Sequence, residues 1–433
     1  MKIFRQFFLK SFLFYVLLSL ISCSKTEENV PLVGGGNFAT LLLSSDSPDA
    51  VLVVNEALSF MVVGDDTVDY TNEATFYVNQ TEITGSNYVF DTEGAFEVYA
   101  SYLGINSNIL NFDVIDAAER TILIDNTKAL RNQTTTFTMV DSEGNDVTSE
   151  ATFFVNDIEI SGNTYVSANE GVFDVYAQYE ISGSIFSTGT KSFEVFIPLR
   201  KVVLEDYTGT WCGYCPSVAA AIVDAHAATN YISVIAIHET ANSNPDPFHF
   251  PQVDLLKAEF GVTGLPAARI DRTTIWSDPY AVGEVTAIAG EETNVSIAIN
   301  SQLSGDVLNA EVRVIYEEGS LPGDKLVFYL TEDGLIHDQT NYYDNDPTSP
   351  FYMMGNPIPD FVHNEVLRLS LSDIFGDEID VTAAFTEFVQ SYNITIPSEY
   401  NSANLHLVAM VVSADNSARN SQTAALNEDK EYE

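Results

Sequence analysis

The sequence predicts a multidomain, mainly β chain: two tandem β-sandwich repeats, an α/β domain and a C-terminal antiparallel β-sandwich. Three observations carry this. One long segment repeats itself, the segment after Arg200 alternates strand-like and helix-like runs, and the segment after Glu291 returns to strict alternation of apolar residues.

The duplication is read by sliding the chain along itself. Glu73-Ala74-Thr75-Phe76-Tyr77-Val78-Asn79 returns as Glu150-Ala151-Thr152-Phe153-Phe154-Val155-Asn156, and Glu93-Gly94-Ala95-Phe96-Glu97-Val98-Tyr99-Ala100 as Glu170-Gly171-Val172-Phe173-Asp174-Val175-Tyr176-Ala177. The offset is constant from Phe60/Phe137 to Ala100/Ala177, so a whole domain is repeated. Within each copy, alternating apolar residues such as Phe96, Val98 and Ala100 are bounded by Asn, Gly and Asp turns, which predicts short strands. Two immunoglobulin-like sandwiches follow, without internal cysteines, so packing alone must stabilise them. They resemble bacterial immunoglobulin-like domains, which implies a stalk or an adhesive unit.

From Arg200 the pattern predicts a strand over 201–207, an alanine-rich helix over 217–229, a wholly apolar strand over 231–238, a helix over 255–260 and a strand over 267–270. Beyond 291, runs such as Val312, Val314, Tyr316 and Leu405, Leu407, Ala409, Val411 alternate with period two and predict the last β-domain. The expected divisions are a signal over 1–22, a tether over 23–38, repeats over 39–116 and 117–197, the α/β domain over 198–290 and the β-domain over 291–433.

The N-terminus has Lys2, Arg5 and Lys10 ahead of an apolar run, the pattern of a secretory signal, so the mature chain is expected to work outside the cytoplasm. Leu20-Ile21-Ser22-Cys23 resembles the lipobox of bacterial lipoproteins, which implies lipidation of Cys23 and attachment to the outer membrane, facing the periplasm or the cell surface. Acyl chains contribute about 0.8 kcal/mol per buried methylene, enough for a permanent anchor when several are attached. Ser24-Lys25-Thr26-Glu27-Glu28 resembles the acidic tag of surface-exposed lipoproteins. The formal net charge of -44, from 62 acidic against 18 basic residues, disfavours nucleic acid and bare anionic lipid as partners.

Of three cysteines, two form Trp211-Cys212-Gly213-Tyr214-Cys215-Pro216. A strand followed by this motif and a helix sets Cys212 at a helix N-terminus, where free N–H groups and the helix dipole stabilise a thiolate. Cys215, one turn further, is shielded and can resolve a mixed disulfide. Three chemistries are open to such a pair. Redox exchange fits the spacing. Zinc normally takes four ligands, and no second cysteine pair supplies the other two. A structural bridge closing so small a ring contributes only about 2 kcal/mol. With Cys23 lipidated, electrons must come from or pass to another molecule.

A Trp before a CxxC at a strand-to-helix junction resembles the thioredoxin-like superfamily. The resemblance implies a cis-proline loop facing the thiols, matched by Pro266 in Thr263-Gly264-Leu265-Pro266. It also implies a buried carboxylate that moves the proton of the second thiol, matched by Asp206, with Glu205 competing for the inward position. No cofactor is implied. His238, Asp246 and His249 bracket a Pro/Asn-rich insertion and read as a solvated loop that could also line a cleft. No His-x-x-x-His or comparable metal spacing occurs there. Asp344, Asn345 and Asp346 read as an acidic turn, since a calcium loop would need its glycine and distal glutamate.

The order of signal, CxxC-bearing unit and β-domain, with His363-Asn364-Glu365-Val366-Leu367-Arg368 and Ile374-Phe375-Gly376-Asp377, resembles the twenty-eight-kilodalton outer-membrane protein family of Gram-negative lipoproteins, from about residue 200 onward. Two functions are therefore expected in competition. One is thiol-disulfide exchange with envelope proteins through Cys212, Cys215, Pro266 and Asp206 or Glu205. The other is surface adhesion, with the α/β unit as a scaffold.

Overall fold

The computed structural model describes residues 38–47, 50–115, 120–181, 184–241 and 244–433. Cys23, the signal and nearly all of the tether lie outside them. The chain divides into two compact units between Asp116 and Ala117.

The first unit is a β-sandwich. Leu41–Ser45, Glu56–Gly64 and Asn87–Phe90 form one sheet, and Val51–Val53, Leu110–Ile115, Gly94–Tyr102, Thr75–Val78 and Thr81–Ile83 form the other. Alternation along each strand turns Phe60 and Val62 inward from one sheet and Phe76, Val98 and Phe112 inward from the other, closing a single core.

The second unit opens on a sandwich of the same topology. Its sheets are Thr121–Ile124, Thr135–Val140 and Thr164–Tyr165 against Lys128–Leu130, Lys191–Phe196, Gly171–Ile181, Ala151–Val155 and Ile158–Glu159. Matched positions do matched work. Phe60 packs on Phe76 and Phe112, as Phe137 packs on Phe153 and Phe193. Asn79 and Asn156 both adopt positive φ, 46° and 48°, and each accepts a 2.9 Å hydrogen bond on Oδ1 from the opposite strand, at Glu97 N and Asp174 N. An asparagine suits this left-handed corner because its short amide bonds locally.

The remainder of the second unit is built on one sheet of nine strands. Its elements are β1 (Val202–Thr208), α1 (Pro216–Ala228), β2 (Ile232–His238), α2 (Val253–Glu259), β3 (Ala267–Ile270), β4 (Thr274–Trp276), β5 (Lys325–Glu332), β6 (Val366–Ser370), β7 (Leu405–Val412) and β8 (Ala418–Ala425). The order is β4-β3-β1-β2-β6-β5-β7-β8, with Asp377–Glu378 added beside β5. β1 and β2 are parallel, and β2 continues parallel into β6 at Ala236↔Val366. α1 covers one face around Val218, Ile222 and Ala225, and α2 covers the other around Val253 and Leu256. Leu326, Phe328, Leu407 and Val411 face Ile297, Ile299, Val312 and Val314 of a second sheet, making the C-terminal sandwich.

This architecture corrects the expected fold class in one respect. The chain is mainly β-sandwich, and residues 198–290 do not close an α/β domain of their own, because the second edge of β2 is taken by β6. The expected boundary at 290/291 thus falls within one sheet. The second sandwich is also tied to this body, through Arg131 to Glu292 and Glu317 and through Leu130 and Phe196 packed with Ala298, Ile315 and Tyr432.

The repeated corner is testable by denaturant unfolding. Asn156→Ala should cost about 2 kcal/mol, because it loses the hydrogen bond and keeps an unfavourable φ. Asn156→Gly should cost about 1 kcal/mol, since glycine accepts that φ.

Candidate functional site

Cys212 and Cys215 lie at the C-terminal end of β1 and form a disulfide with a Cα–Cα distance of 5.4 Å. The helix begins one residue after Cys215, which therefore occupies the cap, whereas Cys212 belongs to the preceding turn and donates its N–H to Gly209 O at 2.9 Å. This corrects the expectation that Cys212 sits at the helix N-terminus. Both cysteines are buried, at 5% and 2% exposure, while Tyr214 between them is 54% exposed.

What covers the pair is the segment 337–361, which leaves the sheet after β5 and returns before β6. Thr340 and Tyr342 donate backbone N–H groups to Thr210 O and Gly213 O at 2.8 and 2.9 Å, and Gln339 Nε2 donates to Cys212 O at 2.9 Å. Tyr342 lies directly on Gly213, where an added Cβ would meet its ring at 2.5 Å, and both Tyr342 and Tyr343 pack edge-on against Tyr214. Buried Asn341 braces the segment by donating to Phe351 O and Gly355 O. Asp344 and Asp346, within it, accept from Gly355 N and Thr348 N and make ordinary turns.

Behind the disulfide is a cavity of about 500 Å3 between α1, the ends of β1 and β2, and the chain from 333 to 365. Cys215 lines it, as do Asp206, His238 and His363. Adjacent residues of a strand face opposite ways, and this decides between the two carboxylates. Asp206 faces the cavity. Glu205 is buried on the other side, paired with Arg272 Nε and accepting from Tyr207 OH, both at 3.0 Å, and takes no part in the site.

Asp206 Oδ1 has no hydrogen-bond partner among the described residues. Burial, and then the neighbouring Glu365 carboxylate, push its pKa up to about 8. Asp246 is its opposite. Burial opposes ionisation there, but the hydrogen bond and charge of His238 and the N–H groups of Thr210 and Phe248 outweigh it and hold the carboxyl below its usual range. Asp246 Oδ2 accepts from Thr210 N at 2.7 Å and from His238 Nδ1 at 3.0 Å. An ionised carboxylate only accepts, so Nδ1 carries a proton. His238 and Asp246 are thus a buried pair rather than part of a solvated loop, whereas His249 is exposed and accepts from Thr240 N.

Pro266 follows a cis bond and directly precedes Ala267, which pairs with Tyr207 of β1, so it stands beside the strand end that leads into the cysteines. His226, His363 and Glu365 were not anticipated as site residues. His226 bonds Glu365 at 2.6 Å, and burial followed by His238 lowers the pKa of His363 to about 4. The only signal for them was the His363-Asn364-Glu365 run. Among the described residues, no three His, Cys, Asp or Glu side chains are grouped as metal ligands, and no helix is long and apolar enough to cross a membrane, which leaves β-barrel spans unaddressed.

The outer membrane protein Omp28 family matches residues 253–430, which is less than half of the chain and begins after the Cys212–Cys215 pair rather than near residue 200. The match supports an outer-membrane location. No curated protein matches the chain. Solved structures similar to parts of it include the fibronectin(III)-like modules of CbhA from Clostridium thermocellum (17% identity, 36% of this chain and 93% of that one, TM-score 0.25). Others are the Escherichia coli adhesin FdeC (15%, 36% and 64%, 0.22) and a C-terminal fragment of intimin (14%, 42% and 72%, 0.24). At such scores the likeness carries no functional argument.

Two outcomes test this geometry. Asp206 keeps its proton to about pH 8 when folded, against a pKa of 3.8 for an ordinary aspartate. Between those values the folded chain binds more protons than the unfolded one, so this contribution to stability is lost as pH rises. In denaturant unfolding, Asp206→Asn should therefore gain on the wild type progressively from pH 4 to 8; a constant difference contradicts the assignment. Separately, Tyr342→Ala should let dithiothreitol reduce the disulfide several-fold faster, read by alkylation and mass; an unchanged rate means that the 337–361 segment does not control access.

Proposed function

We propose that this chain is a lipid-anchored outer-membrane protein with a thioredoxin-like site that exchanges thiols and disulfides with secreted or surface proteins. The observation that carries the reading is the Cys212–Cys215 disulfide at the start of α1, with the unpartnered carboxyl of Asp206 in the cavity that Cys215 lines. Cys23 would carry the lipid.

In the reducing direction, the Cys212 thiolate attacks one sulfur of a substrate disulfide. A mixed disulfide forms and the first substrate thiolate leaves, taking a proton from solvent. Where Asp206 is ionised, a form that grows as pH approaches 8, Cys215 passes its proton to it and attacks the Cys212 sulfur; the second substrate thiolate leaves, takes up a proton, and the Cys212–Cys215 bond is restored. Two electrons have passed from the pair to the substrate, and an external dithiol must return them. Pro266, beside the end of β1, is suited to hold the substrate backbone. With Cys212 buried and Gln339 bonded to its carbonyl, segment 337–361 must move for a protein substrate to reach it.

That burial also favours a second reading, in which the duplicated sandwiches bind a surface ligand and residues 200–433 are a scaffold with a protected bridge. The two separate cleanly. Full-length protein in detergent, supplied with dithiothreitol, should accelerate reduction of insulin disulfides; Cys212→Ser should abolish this, and Cys215→Ser should accumulate a mixed disulfide visible by mass. Undiminished activity in Cys212→Ser removes the exchange reading.

A further inference from the structure

The cavity continues well past the disulfide. Cys215, Ala219, Ile222 and His226 line it at one-turn intervals along a single face of α1, so at about 1.5 Å per residue it is a groove about 16 Å long. Its far rim is open, since Val223 and Val362 are largely exposed. Thiol exchange at Cys212 uses none of this length.

The groove has a definite chemistry. Its walls are apolar, with Ile222, Val223, Phe351 and Phe361; its titratable groups are three carboxyls, Asp206, Glu365 and Asp333, and three histidines, and no lysine or arginine is among the lining residues. Two of the acids already have partners, Glu365 with His226 at 2.6 Å and Asp333 with His406 at 3.5 Å. Asp206 has none. It is 4% exposed, opens onto the groove, and keeps a buried acceptor oxygen without a donor. A buried acceptor left unpaired costs stability that a donor from a ligand would restore. Register sets Asp206 beside Ala236, and Ala236 beside Val366; Glu365, just before that strand, lines the same groove, and its charge acts on Asp206.

We propose that this groove binds an organic cation, an ammonium or guanidinium on an apolar stem, with the charge held by Asp206 and Glu365 and the stem laid along Ile222, Phe351 and Phe361. Asp206 releases its proton to solvent as the cation binds. A bare metal ion fits less well, because no set of three ligating side chains is grouped there among the described residues. An anion would meet three carboxyl groups and no cation other than histidine. The two phenyl rings suit the stem and add attraction for a cation. The volume matches that of small-molecule sites. The same chemistry is carried by a free amine and by a lysine or arginine side chain of a peptide.

The test is calorimetric titration of the full-length, oxidised protein in detergent, with no reductant present, so that its outcome is independent of thiol exchange. Hexylammonium and agmatine should bind saturably, and hexanol, the neutral isostere, at least about tenfold more weakly, the fold-change expected for one charge-assisted hydrogen bond. Asp206→Asn should weaken agmatine by a similar factor. An acetylated, amidated Gly-Arg-Gly peptide separates the sources: binding at least as tight as agmatine assigns the groove to a basic peptide side chain, and weaker binding assigns it to a free amine. Hexanol binding as tightly as hexylammonium, or no saturable binding of either amine into the millimolar range, overturns the proposal. The amine-to-alcohol comparison needs only the wild type, so it decides even if Asp206→Asn fails to fold.

Discussion

Everything around the cysteines depends on one strand pairing. β2 has β1 on one side and would leave its other edge open; instead it pairs with β6 through Ala236↔Val366, and Ala236 N donates to Glu365 O at 2.8 Å. β6 begins at Val366, opposite Ala236 near the C-terminal end of β2, so the chain entering β6 meets the C-terminal ends of β1 and β2 at one edge of the sheet. Ligand crevices form there in open sheets with parallel strands. It brings His363 and Glu365 beside Asp206, and it carries segment 337–361 over Gly213.

Within that crevice two carboxyl groups have been driven apart. Asp246 receives Thr210 N, Phe248 N and His238 Nδ1 and stays ionised, which locks the turn before Cys212 to the end of β2. Asp206 receives no donor on its buried oxygen and holds a proton near neutrality. Carboxyl groups separated in this way divide the work of structure and proton transfer. The pattern is one that functional sites share, although buried ion pairs elsewhere in the fold also shift. Arg272, raised against the effect of burial by its charged surroundings and paired with Glu205 on the opposite face of the same strand, is such a structural case.

Much of the fold was legible in the sequence. The duplication could be aligned because each sandwich repeats the same inward residues, from Phe60/Phe137 to Ala100/Ala177, and the same Asn79/Asn156 corner. The strand and helix flanking the CxxC were legible from local periodicity. The junction of β2 with β6 was not, because Ala236 and Val366 are far apart in the chain and neither strand shows which edge it offers. Alternation established that only one of Glu205 and Asp206 faces α1, but not which, since that depends on the face the helix covers. His238 and Asp246 looked like loop residues because their hydrogen bond closes across an insertion with no regular spacing. Segment 337–361 carries no periodic pattern, and its role comes from Tyr342 landing on a glycine.

We propose that the Cys212–Cys215 bond exchanges rather than merely braces. Its equilibrium reduction potential, measured on full-length protein in glutathione buffers, bears on that most directly. An exchanger should titrate between about -270 and -120 mV, the range of known dithiol oxidoreductases. A value below about -300 mV, where structural bridges lie, would contradict the account and leave a tethered scaffold.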